Sequence, residues 1–164
     1  MTNNFIVGLR FSQWKQHDFD AKLAQTPDEL EKVIMPPVNA GLDYLHSSMR
    51  RFWESEFPDS KENLAYWTKK ISDITTIGVG SVGLDSDFID MMAPANPTSI
   101  DKAIEDISSN KYELIAVGRA LISDPNWVIK MKEGRFDELI PYTKESLLTP
   151  VSYTHLRAHE TNSN

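Results

Sequence analysis

Tyr112-Glu-Leu-Ile-Ala-Val-Gly-Arg-Ala-Leu-Ile-Ser-Asp-Pro-Asn-Trp127 is the stretch on which the reading of the fold turns. An apolar run, Leu114 to Val117, stops at Gly118-Arg119, and the residues after it read as the first turn of a helix. The leading N–H groups of a helix have no intrahelical acceptor, so Gly118, Arg119 and Ala120 bring amides and a guanidinium to one spot. That spot suits an anion. A strand, a Gly-Arg corner and a helix are what a barrel enzyme places at the carboxyl end of a parallel strand to hold a phosphate.

Working outward, Phe5-Ile-Val-Gly-Leu-Arg10 is a run of strand formers ending in a charge, which predicts Arg10 at a strand's carboxyl end. Thr26-Pro-Asp-Glu29 has the spacing of a helix start, with Thr26 as cap, Pro27 in the first position and Glu29 closing a capping box. The helix should run from Pro27 to about Asn39. Pro36 and Pro37 remove backbone donors and crowd the preceding turn, so a kink or early end is expected near Met35, with Gly41 terminating the element. Asp43 to Ser47 predicts a second strand, and Asn63 to Ile71 a helix with Leu64, Trp67 and Ile71 at helical spacing. Ile74 to Val79 predicts a third strand, Ile100 to Ser109 a helix capped by Thr98 or Ser99, and Leu114 to Val117 a fourth strand.

Strands alternate with helices and do not alternate cleanly in polarity, which predicts an α/β fold with a parallel sheet covered by helices. Four βα units fill residues 5–149 at nearly the unit length of a complete (β/α)8 barrel, so a partial TIM barrel is expected. The abrupt onset of strand-like sequence at Phe5 reads as a truncated beginning.

The chain has 164 residues, 40% hydrophobic and 25% charged, enough for one domain with a core. A formal net charge of -7 has the wrong sign for non-specific binding to nucleic acid or an anionic membrane, so neither is expected as a partner. No cysteine is present, which removes disulfides and thiolate metal sites and makes a cytoplasmic location the simplest expectation. Residues 150–164 break with what precedes them, resemble translated adapter read-through, and are expected to be a disordered tail outside the fold. His155 and His159 lie four apart within that tail but lack a third ligand, so no metal site is assigned.

Taken in order, strand-Arg10, strand-His46-Ser47-Ser48, strand-Gly78-Val79-Gly80-Ser81 and strand-Gly118-Arg119-x-Leu-x-x-Asp-Pro, the chain resembles the carboxyl-terminal half of the old yellow enzyme family. These are FMN-dependent NAD(P)H oxidoreductases and ene-reductases. The resemblance covers about Phe5 to Leu148 and implies that residues 1–149 are the last four βα units of an FMN-binding TIM barrel. It implies FMN as cofactor, NADH or NADPH as reductant and a small-molecule acceptor such as an activated alkene, and it leaves homo-oligomeric assembly of the parent open.

The resemblance also implies roles for residues. Arg10 matches the arginine that contacts the flavin near N1 and the C2 carbonyl, where reduction places negative charge that a fixed cation stabilises. Gly78, Val79, Gly80 and Ser81 match the loop after the seventh strand, and Gly118, Arg119 and Ala120 the one after the eighth. Together they would grip the FMN phosphate through backbone amides and a guanidinium, the glycines allowing close approach. His46 is a candidate substrate contact, against the simpler reading of a satisfied rim histidine. Phe52, Trp53, Phe57 and Trp67 are read as packing under a long loop rather than as a substrate entrance.

Two patterns compete with this reading. Gly78-Val-Gly-Ser-Val-Gly83 fits the G-x-G-x-x-G fingerprint of dinucleotide-binding folds, but Pro94 and Pro97 interrupt the segment where that fold needs a helix and a second strand. A phosphate-gripping aldolase or isomerase would share the same rim, yet no Lys or Glu stands at a strand end as base or Schiff-base former. No catalytic residue is assigned: in the family the His-Asn or His-His pair and the proton-donating tyrosine come from the fourth-strand region, which this chain lacks. A catalytically inert half-barrel is therefore the other alternative.

Overall fold

The computed structural model describes residues 5–15, 18–86 and 93–148. The tail with His155 and His159, and the residues before Phe5, lie outside the described residues. The element order is β1 (Gly8–Ser12), β2 (Trp14–Lys15), β3 (Asp18–Lys22), α1 (Pro27–Asn39), β4 (Tyr44–Ser48), α2 (Leu64–Ser72), β5 (Thr75–Val79), α3 (Asp101–Ser108), β6 (Leu114–Ile115), α4 (Arg119–Ser123) and α5 (Trp127–Glu133). Two short 3-10 turns follow, Phe136–Glu138 and Lys144–Leu147. The chain divides into two compact units, one holding the residues up to Gly80 with Asp101–Ala116, the other Ser81–Ile100 with Val117 onward.

In the first unit β1, β4, β5 and β6 pair in that order, all parallel, giving the expected α/β sheet. Leu9, Leu45 and Thr76 stand abreast, as do Phe11, Ser47 and Gly78. These rows face the helices. Leu45 is fully buried with Leu30 and Ile34 of α1 and Leu64 of α2, and Phe11 packs on the same cluster. Ser47 donates from Oγ to Thr68 Oγ1 of α2 at 2.9 Å. Successive side chains alternate across a strand, so Arg10, His46 and Ile77, also abreast, lie on the opposite face.

Helix α1 starts as its sequence requires: Thr26 accepts from Glu29 N–H at 3.2 Å, and Glu29 reaches back to Gln25 N–H at 2.7 Å. It does not end early at the proline pair. Leu30 and Ile34 are buried and Val38 packs on the same core, an i, i+4, i+8 stripe that holds the helix to the sheet through Pro36 and Pro37. Ala40 N–H then closes the last turn onto Pro36 and Pro37 carbonyls, and Gly41 follows at φ +105. Helix α2 is capped by Asn63, which accepts from Tyr66 N–H at 2.9 Å and donates to Phe52 O at 2.8 Å.

The buried Asp106 fastens α3 in this unit. It pairs with Lys102 and Lys111, each at 3.2 Å, and accepts from Tyr112 Oη at 3.4 Å. Burial, then the Asp106 charge, pushes the Tyr112 phenol well above its ordinary range, so it stays a donor. An element the sequence reading omits is the hairpin of β2 and β3, tied down by buried Gln13, which donates to Ala24 O and to Glu56, and by Lys22, which pairs with Glu56 at 3.2 Å. Its tie is long-range and leaves no local signal.

The second unit has its own core of Leu84, Ala95, Ala120, Trp127 and Tyr142. Bridges Leu84 to Pro97 and Ala95 to Tyr142 cross it, and buried Asp124 holds Lys130 at 2.8 Å. Gly83 is at φ +75, and a Cβ there would come within 2.7 Å of the Trp127 ring, so only glycine suits the turn.

Candidate functional site

In the first unit the sequence-selected residues are Arg10, His46, Gly78, Val79 and Gly80. Arg10 is the middle residue of β1 rather than its carboxyl end, because the strand continues through Phe11 and Ser12 to pair with Ser47 and Ser48. His46 is likewise within β4, beside Arg10 in register. Arg10 is exposed and donates from a terminal guanidinium nitrogen to Ser48 Oγ at 3.2 Å. Ser48 shares the face of Arg10 and His46, and period two from His46 was the signal that could have found it.

Burial, and after it the Arg10 charge, lowers the His46 pKa from its ordinary value, so the imidazole is held toward its neutral form. Its Nε2 is enclosed with no hydrogen-bond partner among the described residues. A polar atom left in that state costs about 1–3 kcal/mol unless water or a ligand meets it.

Gly78 and Gly80 are glycines for a reason the motif does not reveal. A Cβ on Gly80 would lie 2.8 Å from the Met49 carbonyl oxygen, and one on Gly78 about 3.1 Å from Ala65 and Met49. Protein, not open space, occupies the room they leave. Their carbonyls, with that of Val79, accept from Ala116, Met49 and Phe52, which locks the end of β5 to its neighbours.

Ser81, Gly118, Arg119 and Ala120 belong to the second unit. Ser81 is a non-glycine residue at φ +51, a conformation that persists only where surroundings enforce it. Its hydroxyl accepts from Arg119 at 3.2 Å; the same terminal nitrogen donates to Ser86 O at 2.6 Å, and the guanidinium lies 5.3 Å from the Tyr142 ring centroid. The arginine is thus held in one orientation by partners that sequence spacing could not supply. Gly118 is exposed, with nothing within 4 Å of where a Cβ would stand, and it precedes α4 with no side-chain cap. Ala120 is buried in the core beneath. A fixed guanidinium, a hydroxyl and an open glycine backbone are a donor set that fits a phosphate.

Among the described residues no group of three or more His, Cys, Asp or Glu is placed to hold a metal ion, and no helix is long and apolar enough to cross a membrane.

A parallel sheet backed by helices, with Arg10, His46 and Ser48 on the opposite face, defines the class: an α/β protein. No family model matches the chain. It is 27% identical over 131 residues to the protein named "Probable NADH-dependent flavin oxidoreductase YqiG" of Bacillus subtilis, and 26% identical over 142 residues to "NADH:fumarate oxidoreductase" of Klebsiella pneumoniae. These matches cover 80% and 82% of this chain but only 31% and 13% of the relatives. In fold it is similar to morphinone reductase in complex with tetrahydroNAD, with a TM-score of 0.51 at 16% identity over 78% of this chain and 29% of that one, and to its N189A mutant at 0.53. The chain is thus similar in sequence to proteins named as flavin and fumarate oxidoreductases and in fold to morphinone reductase, and it spans about a third or less of the length of the relatives it matches.

Proposed function

We propose that this chain supplies the last four βα units of a (β/α)8 barrel in an FMN-dependent NAD(P)H oxidoreductase that reduces an activated alkene or a related small-molecule acceptor. Residues 1–149 form that part, and 150–164 lie outside it. One observation carries the reading most: the flavin-oxidoreductase relatives match across four-fifths of the chain, and within it Arg10 and His46 stand abreast on the sheet face turned away from the helices. In a closed barrel that face is the interior.

FMN, when bound, relays hydride between the nicotinamide and the acceptor. The chain's own part is to hold and polarise. Arg119, set by Ser81, Ser86 and Tyr142, would pair with the phosphate dianion, aided by the open backbone at Gly118. Arg10 places fixed positive charge at the ring, favouring the state in which the ring carries negative charge. His46 contributes a neutral hydrogen-bonding group on the same face. Proton delivery to the acceptor belongs to barrel strands outside this chain.

The test titrates the purified chain with FMN and with riboflavin, which lacks the phosphate. FMN should bind more tightly, and Arg119→Ala should remove most of that advantage, about tenfold or more for a lost charged hydrogen bond. Equal affinity for the two flavins, or no flavin binding, would overturn the phosphate assignment. Alkene reduction by the chain alone with NADH would contradict its reading as part of a barrel.

A further inference from the structure

We infer that His46 is a second ring-contact residue beside Arg10, its Nε2 hydrogen-bonding the polar edge of the isoalloxazine; this rests on the flavin reading above.

Three observations lead there. Arg10 and His46 are direct partners in the β1–β4 register, so their side chains leave the sheet side by side on the face that the helices do not cover. Arg10 is tethered to Ser48 Oγ, two residues along β4 on that same face, which keeps the guanidinium over the strand that carries His46. The Nε2 atom is enclosed and has no hydrogen-bond partner among the described residues, whereas the buried hydroxyls of the helix side are matched: Ser47 to Thr68, Thr76 to the Ile74 carbonyl. Buried polar groups in native folds are almost always paired, so an unmatched nitrogen beside a ligand-facing arginine marks a partner that comes from outside the protein.

The chemistry of that partner follows from the pair. Arg10 repels a cationic group and favours an electron-rich one. Burial, and after it the neighbouring charge, favours the neutral imidazole, which presents a donor on one nitrogen and an acceptor on the other. A heteroaromatic edge that alternates carbonyls with an imide N–H can satisfy Nε2 in either tautomer, while the guanidinium takes only the acceptors. A plain phosphate or carboxylate would use Arg10 and leave a neutral histidine with half its capacity unused.

The test uses the full chain labelled with 15N-histidine, the His46 signals assigned with His46→Gln, and riboflavin as the probe because it carries the ring without the phosphate. The His46 Nε2 resonance should move saturably with riboflavin. His46→Leu should weaken riboflavin binding about tenfold, and His46→Gln, which keeps a hydrogen-bonding group, should stay within about threefold of the parent. An unmoved resonance during riboflavin binding, or an unchanged affinity in the Leu variant, would overturn this inference and leave the flavin reading standing. Failure of both riboflavin and FMN to bind would overturn both. If the Leu variant fails to fold, the resonance and the Gln variant decide alone.

Discussion

On the helix side of the sheet Leu45 meets Leu30, Ile34 and Leu64, Phe11 packs beside them, and the buried hydroxyls of Ser47 and Thr76 are matched by Thr68 and the Ile74 carbonyl. On the other side the same strands carry Arg10, His46 and Ser48, with an exposed charge and an imidazole whose pKa is lowered and whose Nε2 has no partner among the described residues. A single residue of offset along β4 separates a finished interior from a surface that still has hydrogen-bonding capacity. The first face answers to stability; the second, on the function proposed above, answers to a ligand.

Substitutions on neighbouring residues should separate the two faces. Leu45→Ala leaves a cavity under α1 and α2 and should lower unfolding free energy by about 2–5 kcal/mol in urea denaturation. His46→Gln, next in sequence, should change it by less than about 0.5 kcal/mol. A large loss in the Gln variant would mean that His46 is part of the core after all.

The glycines give a smaller contrast of the same kind. Gly80→Ala drives a Cβ into the Met49 carbonyl and should cost about 1–3 kcal/mol, since backbone rather than a mobile side chain stands in the way. Gly118→Ala meets nothing within 4 Å and should stay within about 0.5 kcal/mol, so any loss of FMN affinity it causes would report on the phosphate and not on folding. Thermal melts of both variants, with and without FMN, check this.

The smallest effect is in pH. The folded-state pKa of His46 is depressed, so below the ordinary histidine value of 6.5 the unfolded chain takes up a proton that the native chain resists. Its contribution therefore disfavours the folded state as pH falls from about 6.5 toward the lower native value, and is constant above that window. His46→Gln should flatten the stability profile there. An identical slope in parent and variant would show that the imidazole titrates as it does in an unfolded chain.

Much of this was legible without coordinates. Thr26-Pro-Asp-Glu29 announced α1, the spacing of Leu64, Trp67 and Ile71 announced α2, and the alternation of strands with helices implied a parallel sheet, because capping and periodicity are local and each is written within a few residues. Errors arose where distant contacts outvoted local rules. The proline pair does not end α1, since Leu30, Ile34 and Val38 hold it to the sheet; the β2–β3 hairpin depends on Gln13 and Glu56, 43 residues apart; and β1 runs two residues past Arg10 because Ser47 and Ser48 of β4 are there to pair with it.

Residue types and their spacing were enough to set the class of fold, the family likeness and the short list of polar residues worth watching. Tertiary structure alone decided what surrounds each one: that Gly80 yields to a carbonyl oxygen, that Arg119 is steadied by Ser81, Ser86 and Tyr142, and that His46 stands beside Arg10 with Nε2 unmatched among the described residues. The reason is range. Propensity and capping act over one turn or one strand, whereas burial, charge proximity and the lack of a hydrogen-bond partner belong to residues that the folded chain brings together from far apart in sequence.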